Sequence, residues 1–342
     1  MTSLSELSLK AAIERDPKAV AVIPLLRLDW IWFYNPGTVC NLACNHCLTL
    51  SSPSSTVLLP LETSEMRAAL EEAKALAGPG FSIGMTGGEV FLLAQKKYQE
   101  RLFEQVELSL SYGDVLILTN AILATDEALE RLKDIDNKAP HSLNFRVSLD
   151  GPSAEENDKI RTGLGGSPTY DMIIHGLHRF VRAGFNPTIA YTYDGEGGKE
   201  KVAKSLEEAN KRYQQALGEV EHPPLELWGI PLFDQGEEFK KREEKGLDHI
   251  ESPGITNHCI SHYLNNAFHD FQCSYSRAFC KEPGGETGWY KCAVLPAEGI
   301  EEGSLISASL EDALKPIDLP HTQCITCFRA ATQGCAMSCS GE

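Results

Sequence analysis

The chain has no apolar run approaching the roughly eighteen residues that a membrane-spanning helix requires, so no such span is expected. Its opening stretch, Met1 to Asp16, is polar and of mixed charge and lacks the apolar segment of a secretory signal. The cytoplasm is the expected compartment. Basic residues are scarce: 31 Lys and Arg face 48 Asp and Glu among 342 residues, a net charge of −17. A surface of that sign repels phosphate backbones and disfavours nucleic acid as a partner. There is no internal repeat and no low-complexity tract. The composition, 42% hydrophobic and 23% charged, is that of a folded chain rather than a disordered one. The length suits about two domains, or one large α/β barrel with an appendage.

Cysteine is missing from the whole middle of the chain. Three lie at 40, 44 and 47, and the other eight fall between 259 and 339. Eleven is an odd count, unsuited to a disulfide framework, and thiols in a reducing compartment stay free. Metal binding is the expected use.

The cysteine-free middle alternates between strand-like and helix-like segments. Strands are expected at Trp30 to Phe33, Ile83 to Met85, Val115 to Leu118, Asn144 to Leu149, Thr188 to Thr192 and Leu225 to Ile230. Between them, Glu65 to Ala77 puts Met66, Ala69, Leu70, Ala73 and Leu76 on one helical face and stops at Gly78-Pro79-Gly80. Tyr170 to Ala183 does the same with Ile173, Leu177 and Phe180, and Glu200 to Leu217 reads as a charged peripheral helix. Such alternation builds βαβ units around a parallel sheet. The expected fold is α/β: a partial (β/α)6 TIM-like barrel over 30–235 after an N-terminal extension, 1–29. A linker over 236–258 contains the charge run Phe239 to Lys245, most simply a solvated helix face or linker. A small Cys-rich, loop-rich domain, 259–342, would need cofactors to hold it together.

Cys40-Asn-Leu-Ala-Cys44-Asn-His-Cys47 follows the first strand, at the end where α/β barrels place their chemistry. Thiols this close form a single nest for one ion or cluster. A closed zinc site would need a fourth ligand, His46 or a distant cysteine. Inert thiols are the other plain reading. A [4Fe–4S] cluster on three thiolates would leave one iron open to a ligand.

The Cys-x₃-Cys-x₂-Cys loop resembles the signature of the radical S-adenosylmethionine (SAM) superfamily, in which the open iron chelates SAM. The residue before the third cysteine, customarily an aromatic that packs on the adenine, is His46 here. Thr86-Gly87-Gly88-Glu89 resembles the family's Gly-Gly-Glu motif, with Val90 where proline is customary. Its glycines allow close backbone approach, and the resemblance implies that Glu89 binds the methionine ammonium. Thr119-Asn120-Ala121 resembles the Thr-Asn-Gly strand end. Val147-Ser148-Leu149-Asp150-Gly151, followed by Asn157 to Arg161, resembles a stretch of the SPASM-type branch. There Ser148 would lie near the ribose and Arg161 would reach the SAM carboxylate bidentately. Asp150 is counted with the SAM-binding residues and is the candidate catalytic residue. Taken alone, the Gly-Gly-Glu and Asp-Gly pairs are ordinary turns and Arg161 is a surface cation.

The C-terminal cysteines continue the resemblance, here to a SPASM or twitch auxiliary domain. It implies one or two auxiliary [4Fe–4S] clusters. The first would take Cys273, Cys280, Cys292 and Cys339; the second Cys324, Cys327 and Cys335, with Cys259 completing it. A zinc ribbon on Cys324 and Cys327 is the alternative. The activity implied is one-electron cleavage of SAM to a 5′-deoxyadenosyl radical that takes hydrogen from a substrate carbon, with a flavodoxin- or ferredoxin-type electron donor. A peptide or protein substrate is expected ahead of a small molecule. With 39 residues before Cys40, any leader recognition would fall to a separate leader-peptide-binding protein. A non-catalytic iron–sulfur electron carrier would need none of the Gly-Gly-Glu, Ser148 or Arg161 features.

Overall fold

Trp30-Ile31-Trp32-Phe33 is apolar on both faces, as a strand inside a parallel sheet must be. Ile31 and Phe33 turn to a layer of helices and Trp32 to the opposite side. The computed structural model that shows this describes residues 16, 18–193, 199–218, 224–247, 255–257, 259, 268, 271–294 and 305–332.

The strands are β1 (Val22–Ile23), β2 (Trp30–Phe33), β3 (Ser82–Met85), β4 (Val115–Thr119), β5 (Leu143–Ser148), β6 (Thr188–Tyr193) and β7 (Leu227–Pro231). After them come β8 (Ser276–Lys281), β9 (Thr287–Tyr290), β10 (Leu305–Ser307) and β11 (Ile317–Asp318). Strands β2 to β7 lie side by side in chain order and all parallel, the six expected. Their crossovers carry α1 (Thr63–Ala77), α2 (Arg101–Leu110), α3 (Asp126–Lys138), α4 (Ala154–Asn157), α5 (Tyr170–Arg182) and α6 (Lys199–Gly218). Helix α1 starts at a Glu62/Glu65 capping box and buries Met66, Ala69, Leu70 and Ala73. Leu76, assigned to the same face by spacing, lies in the last turn and is 47% exposed. Helix α5 buries Ile173, Leu177 and Phe180, the last packed against Phe145 and Phe91 at ring distances of 4.7 and 5.7 Å.

The segment read as a linker begins with helix α7 (Glu237–Lys245), whose first amide donates to the Cys47 carbonyl at 3.1 Å. The charge run Phe239 to Lys245 forms a mostly exposed face of this helix, and Glu238, just before it, is buried beside Lys241 and Arg242. The Cys-rich segment also does not stand apart. Strand β8 runs parallel beside β2, with Trp30 opposite Ser276, and β9 and β10 continue the same nine-stranded sheet antiparallel. Beyond it, β1 of the N-terminal extension pairs with β11, and Ala21 and Ile23 share a core with Phe271, Cys273 and Ile317.

Candidate functional site

The C-terminal ends of β2 to β6 and the loops after them surround one pocket. The loop after β2 brings Cys40, Cys44, His46 and Cys47; the loop after β3 brings Gly87, Gly88 and Glu89. Asn120 follows β4, Ser148 ends β5, and Arg161 arrives from beyond α4. Every residue assigned to the first thiol nest and its ligand by sequence thus lies on this wall, except Asp150, which sits directly behind it.

Each thiol is held by a donor. The Leu42 amide points at Cys40 Sγ (3.4 Å), the Ser51 amide at Cys47 Sγ (3.2 Å), and Arg161 Nη1 stands 3.8 Å from Cys44 Sγ. Burial pushes the Cys40 and Cys44 thiols up, and the neighbouring thiols add to it, while Arg161 opposes the rise at Cys44. These donors favour thiolates, and a bound cation would favour them further.

The Gly-Gly-Glu loop has a structural task that the motif did not disclose. A Cβ on Gly88 would lie 1.8 Å from the Val39 carbonyl oxygen, and one on Gly87 2.3 Å from that of Gly37. The glycines allow the loop to lie against the backbone that leads into the cysteines, with the Gly88 and Glu89 amides donating to those two oxygens. Glu89 is buried and accepts from the amides of Phe91 (2.9 Å) and Asn120 (2.8 Å) and from the Thr119 hydroxyl (2.6 Å). Burial pushes its carboxyl up against these bonds. Asn120 in turn donates to Asn41 at 2.8 Å, inside the thiol loop. Ala121 takes the left-handed backbone (φ 64°) that the customary glycine would adopt freely.

Asp150 has both oxygens engaged. Oδ1 accepts from the Thr192 amide at 2.6 Å; Oδ2 stands 2.7 Å from Arg161 Nε and 3.2 Å from His46 Nε2. Burial raises its carboxyl, but Arg161 and then His46 outweigh this and hold it well below the ordinary range. Sequence reasoning missed Thr192, Leu118, Ile230 and Phe233, which also line the pocket. The only signal was their place at or near strand ends.

A second pocket is lined by Cys273, Cys292, Cys324 and Cys327 together with His321. Burial, then Cys292, pushes the Cys273 thiol up to about 12. A fully buried Arg277 donates to the Cys273 carbonyl and brings positive charge to this pocket. Among the described residues, Cys280 does not line this pocket: on β8 it packs with Trp32, Tyr34 and Tyr290 and is fully buried. After the short helix α8 (Leu310–Ala313), Cys324 and Cys327 lie on α9 (Thr322–Thr332) and face Cys273 and Cys292. Cys259 packs at the edge of the same core, and Cys335 and Cys339 lie outside the described residues.

A family model for the radical SAM superfamily matches residues 34–208, a little over half of the chain. The chain belongs to the radical SAM superfamily, and is an enzyme of that class, whose members work with a [4Fe–4S] cluster and SAM. It is similar to Mycofactocin maturase MftC of Mycobacterium tuberculosis strain H37Rv, 29% identical over 147 residues, 43% of this chain and 33% of the relative. The protein of the same name from Mycolicibacterium smegmatis is 28% identical over 147 residues, again 43% and 33%. The match therefore spans about a third of the length of these relatives. In fold, native anSMEcpe with bound AdoMet aligns with a TM-score of 0.54 at 14% identity, over 83% of this chain and 79% of that one. Native anSMEcpe with AdoMet and the Cp18Cys peptide aligns with a TM-score of 0.51 at 12% identity, over 89% and 81%. No described helix is long and apolar enough to cross a membrane.

Proposed function

We propose that Cys40, Cys44 and Cys47 hold the SAM-binding [4Fe–4S] cluster, and that the surrounding wall binds SAM for a hydrogen abstraction that modifies a peptide or protein. One observation carries this reading: the three thiols share a single pocket with the Gly-Gly-Glu loop, Asn120, Ser148 and Arg161. When bound, cluster and SAM supply one-electron cleavage of a carbon–sulfur bond and a primary carbon radical able to take hydrogen from substrate. The chain's own residues do the rest. Asn120 and Glu89 brace the thiol loop, Arg161 offers a guanidinium fork to a carboxylate, and Leu118, Ile230 and Phe233 keep water off the reacting face. The maturase relatives support a peptide substrate.

The second pocket is proposed to hold one auxiliary iron–sulfur cluster on Cys273, Cys292, Cys324 and Cys327. Its support is that four thiols line one cavity beside a buried cation.

Anaerobic reconstitution followed by dithionite and SAM tests the first assignment. The expected product is 5′-deoxyadenosine, and replacing Cys40, Cys44 and Cys47 together by Ala removes about four irons and all SAM cleavage. Intact SAM after reduction of the fully loaded protein would refute the proposal.

A further inference from the structure

Asp150 stands behind the pocket, a candidate both for SAM binding and for catalysis. Its side chain is fully buried: Oδ1 accepts from the Thr192 amide, and Oδ2 lies within ion-pair distance of Arg161 and His46. A carboxylate so enclosed presents no face to a substrate.

We infer that Asp150 is a positioning residue that sets two SAM-binding side chains at once, His46 on the thiol loop and Arg161 beyond α4. Asp150 Oδ2 lies 2.7 Å from Arg161 Nε, within ion-pair distance. Arg161 lines the pocket, and its Nη1 lies 3.8 Å from Cys44 Sγ. A guanidinium paired on one side with a buried carboxylate is kept in place and has donors left for a second anion. Towards His46, the same oxygen lies 3.2 Å from Nε2, where a ring nitrogen that carries hydrogen is favoured.

His46 occupies the position where this family customarily carries an aromatic ring with no charge to satisfy. An imidazole there needs a partner, and Asp150 provides it from another strand end. The carboxylate is itself held: its own amide donates to Asn157 Oδ1 at 3.1 Å, and Asn157 is completely buried. Thr192 ties it to β6. Asp150 thus joins β5, β6, the thiol loop and the Arg161 segment in one cluster of contacts, and the two ends of the SAM pocket depend on a single carboxylate.

This inference rests on the proposed SAM site, and its test separates the two. SAM affinity is read from the change in the EPR spectrum of the reduced first cluster on titration with SAM, alongside iron content. Asp150→Asn, which keeps the shape and removes the charge, is expected to keep the iron of the wild type and to weaken SAM binding by roughly ten- to a hundredfold. His46→Phe restores the customary aromatic and removes one of the two groups that Asp150 holds. The double variant is expected to bind SAM more tightly than the product of the two separate losses predicts, because the substitutions share one interaction. Wild-type affinity in Asp150→Asn, or losses that simply multiply, would overturn the inference while leaving the SAM site standing. Should Asp150→Asn lose its iron or its fold, Arg161→Lys reads the same arrangement: it keeps the charge and gives up the double contact. About tenfold weaker binding is expected of it, and unchanged binding would overturn the inference. A wild-type protein whose cluster spectrum ignores SAM would defeat the proposed function itself.

Discussion

Gly88 leaves no room for a methyl group, since the Val39 carbonyl oxygen would sit 1.8 Å from the added carbon. That oxygen accepts the Glu89 amide, so it cannot retreat without breaking the contact that joins the Gly-Gly-Glu loop to the thiol loop. Gly88→Ala is expected to lower stability by roughly 3 kcal/mol, as overpacking against backbone does, and to reduce iron uptake at the first pocket. Thermal unfolding and iron analysis of the reconstituted variant would show both; an unchanged midpoint would mean that the two loops can part at little cost. The same loop shows what a motif hides. Glycines next to an acid suggest approach to a ligand, whereas here they first serve approach of the chain to itself. Glu89, with three protein donors, secures the ends of β3 and β4 before any ligand arrives.

At the level of elements, the two thiol pockets share a wall. Gln235, just before α7, is completely buried and donates from one nitrogen to the Leu48 carbonyl beside Cys47 (3.3 Å) and to the Val294 carbonyl near Cys292 (2.6 Å). Tyr34, at the end of β2, donates to the Ala293 carbonyl from the barrel side. Gln235→Leu leaves two buried carbonyls without their donor and is expected to lower stability by about 1–3 kcal/mol. The loss would appear as a lower midpoint in chemical unfolding of the reconstituted protein, and a midpoint at or above the wild-type value would show that these carbonyls have other support. The six parallel strands were legible because short apolar segments alternate with amphipathic helices along the chain. The thiol nest was legible because its spacing is local. The position of β8 was not: its partner β2 lies more than two hundred residues earlier, and local periodicity says nothing of which strand lies alongside. The charge run Phe239 to Lys245 was legible as a solvated helix face, whereas the burial of Glu238 just before it was not, because a lone acid carries no periodic signal.

For the whole molecule, the number of clusters depends on where each of eleven thiols points. Three and eight, by count alone, suggest one open cluster and two closed ones. The fold divides them differently. Cys40, Cys44 and Cys47 form the first set, and Cys273, Cys292, Cys324 and Cys327 line the second pocket. Cys280 is sealed in the barrel interior, where burial pushes its thiol far above the ordinary value and its neighbours are aromatic rings. A further closed cluster would have to draw four thiols from Cys259, Cys335 and Cys339, which are only three. Fully reconstituted protein is therefore expected to carry about eight irons rather than about twelve. Cys280→Ser is expected to retain all of them, and Cys273→Ser to lose about four while still cleaving SAM at the first pocket, since none of its ligands has changed. Iron and sulfide analysis with 5′-deoxyadenosine measured on the same samples decides the matter. About twelve irons in the wild type, with four lost from Cys280→Ser, would return Cys280 to the ligands and require β8 to turn its face once iron is bound.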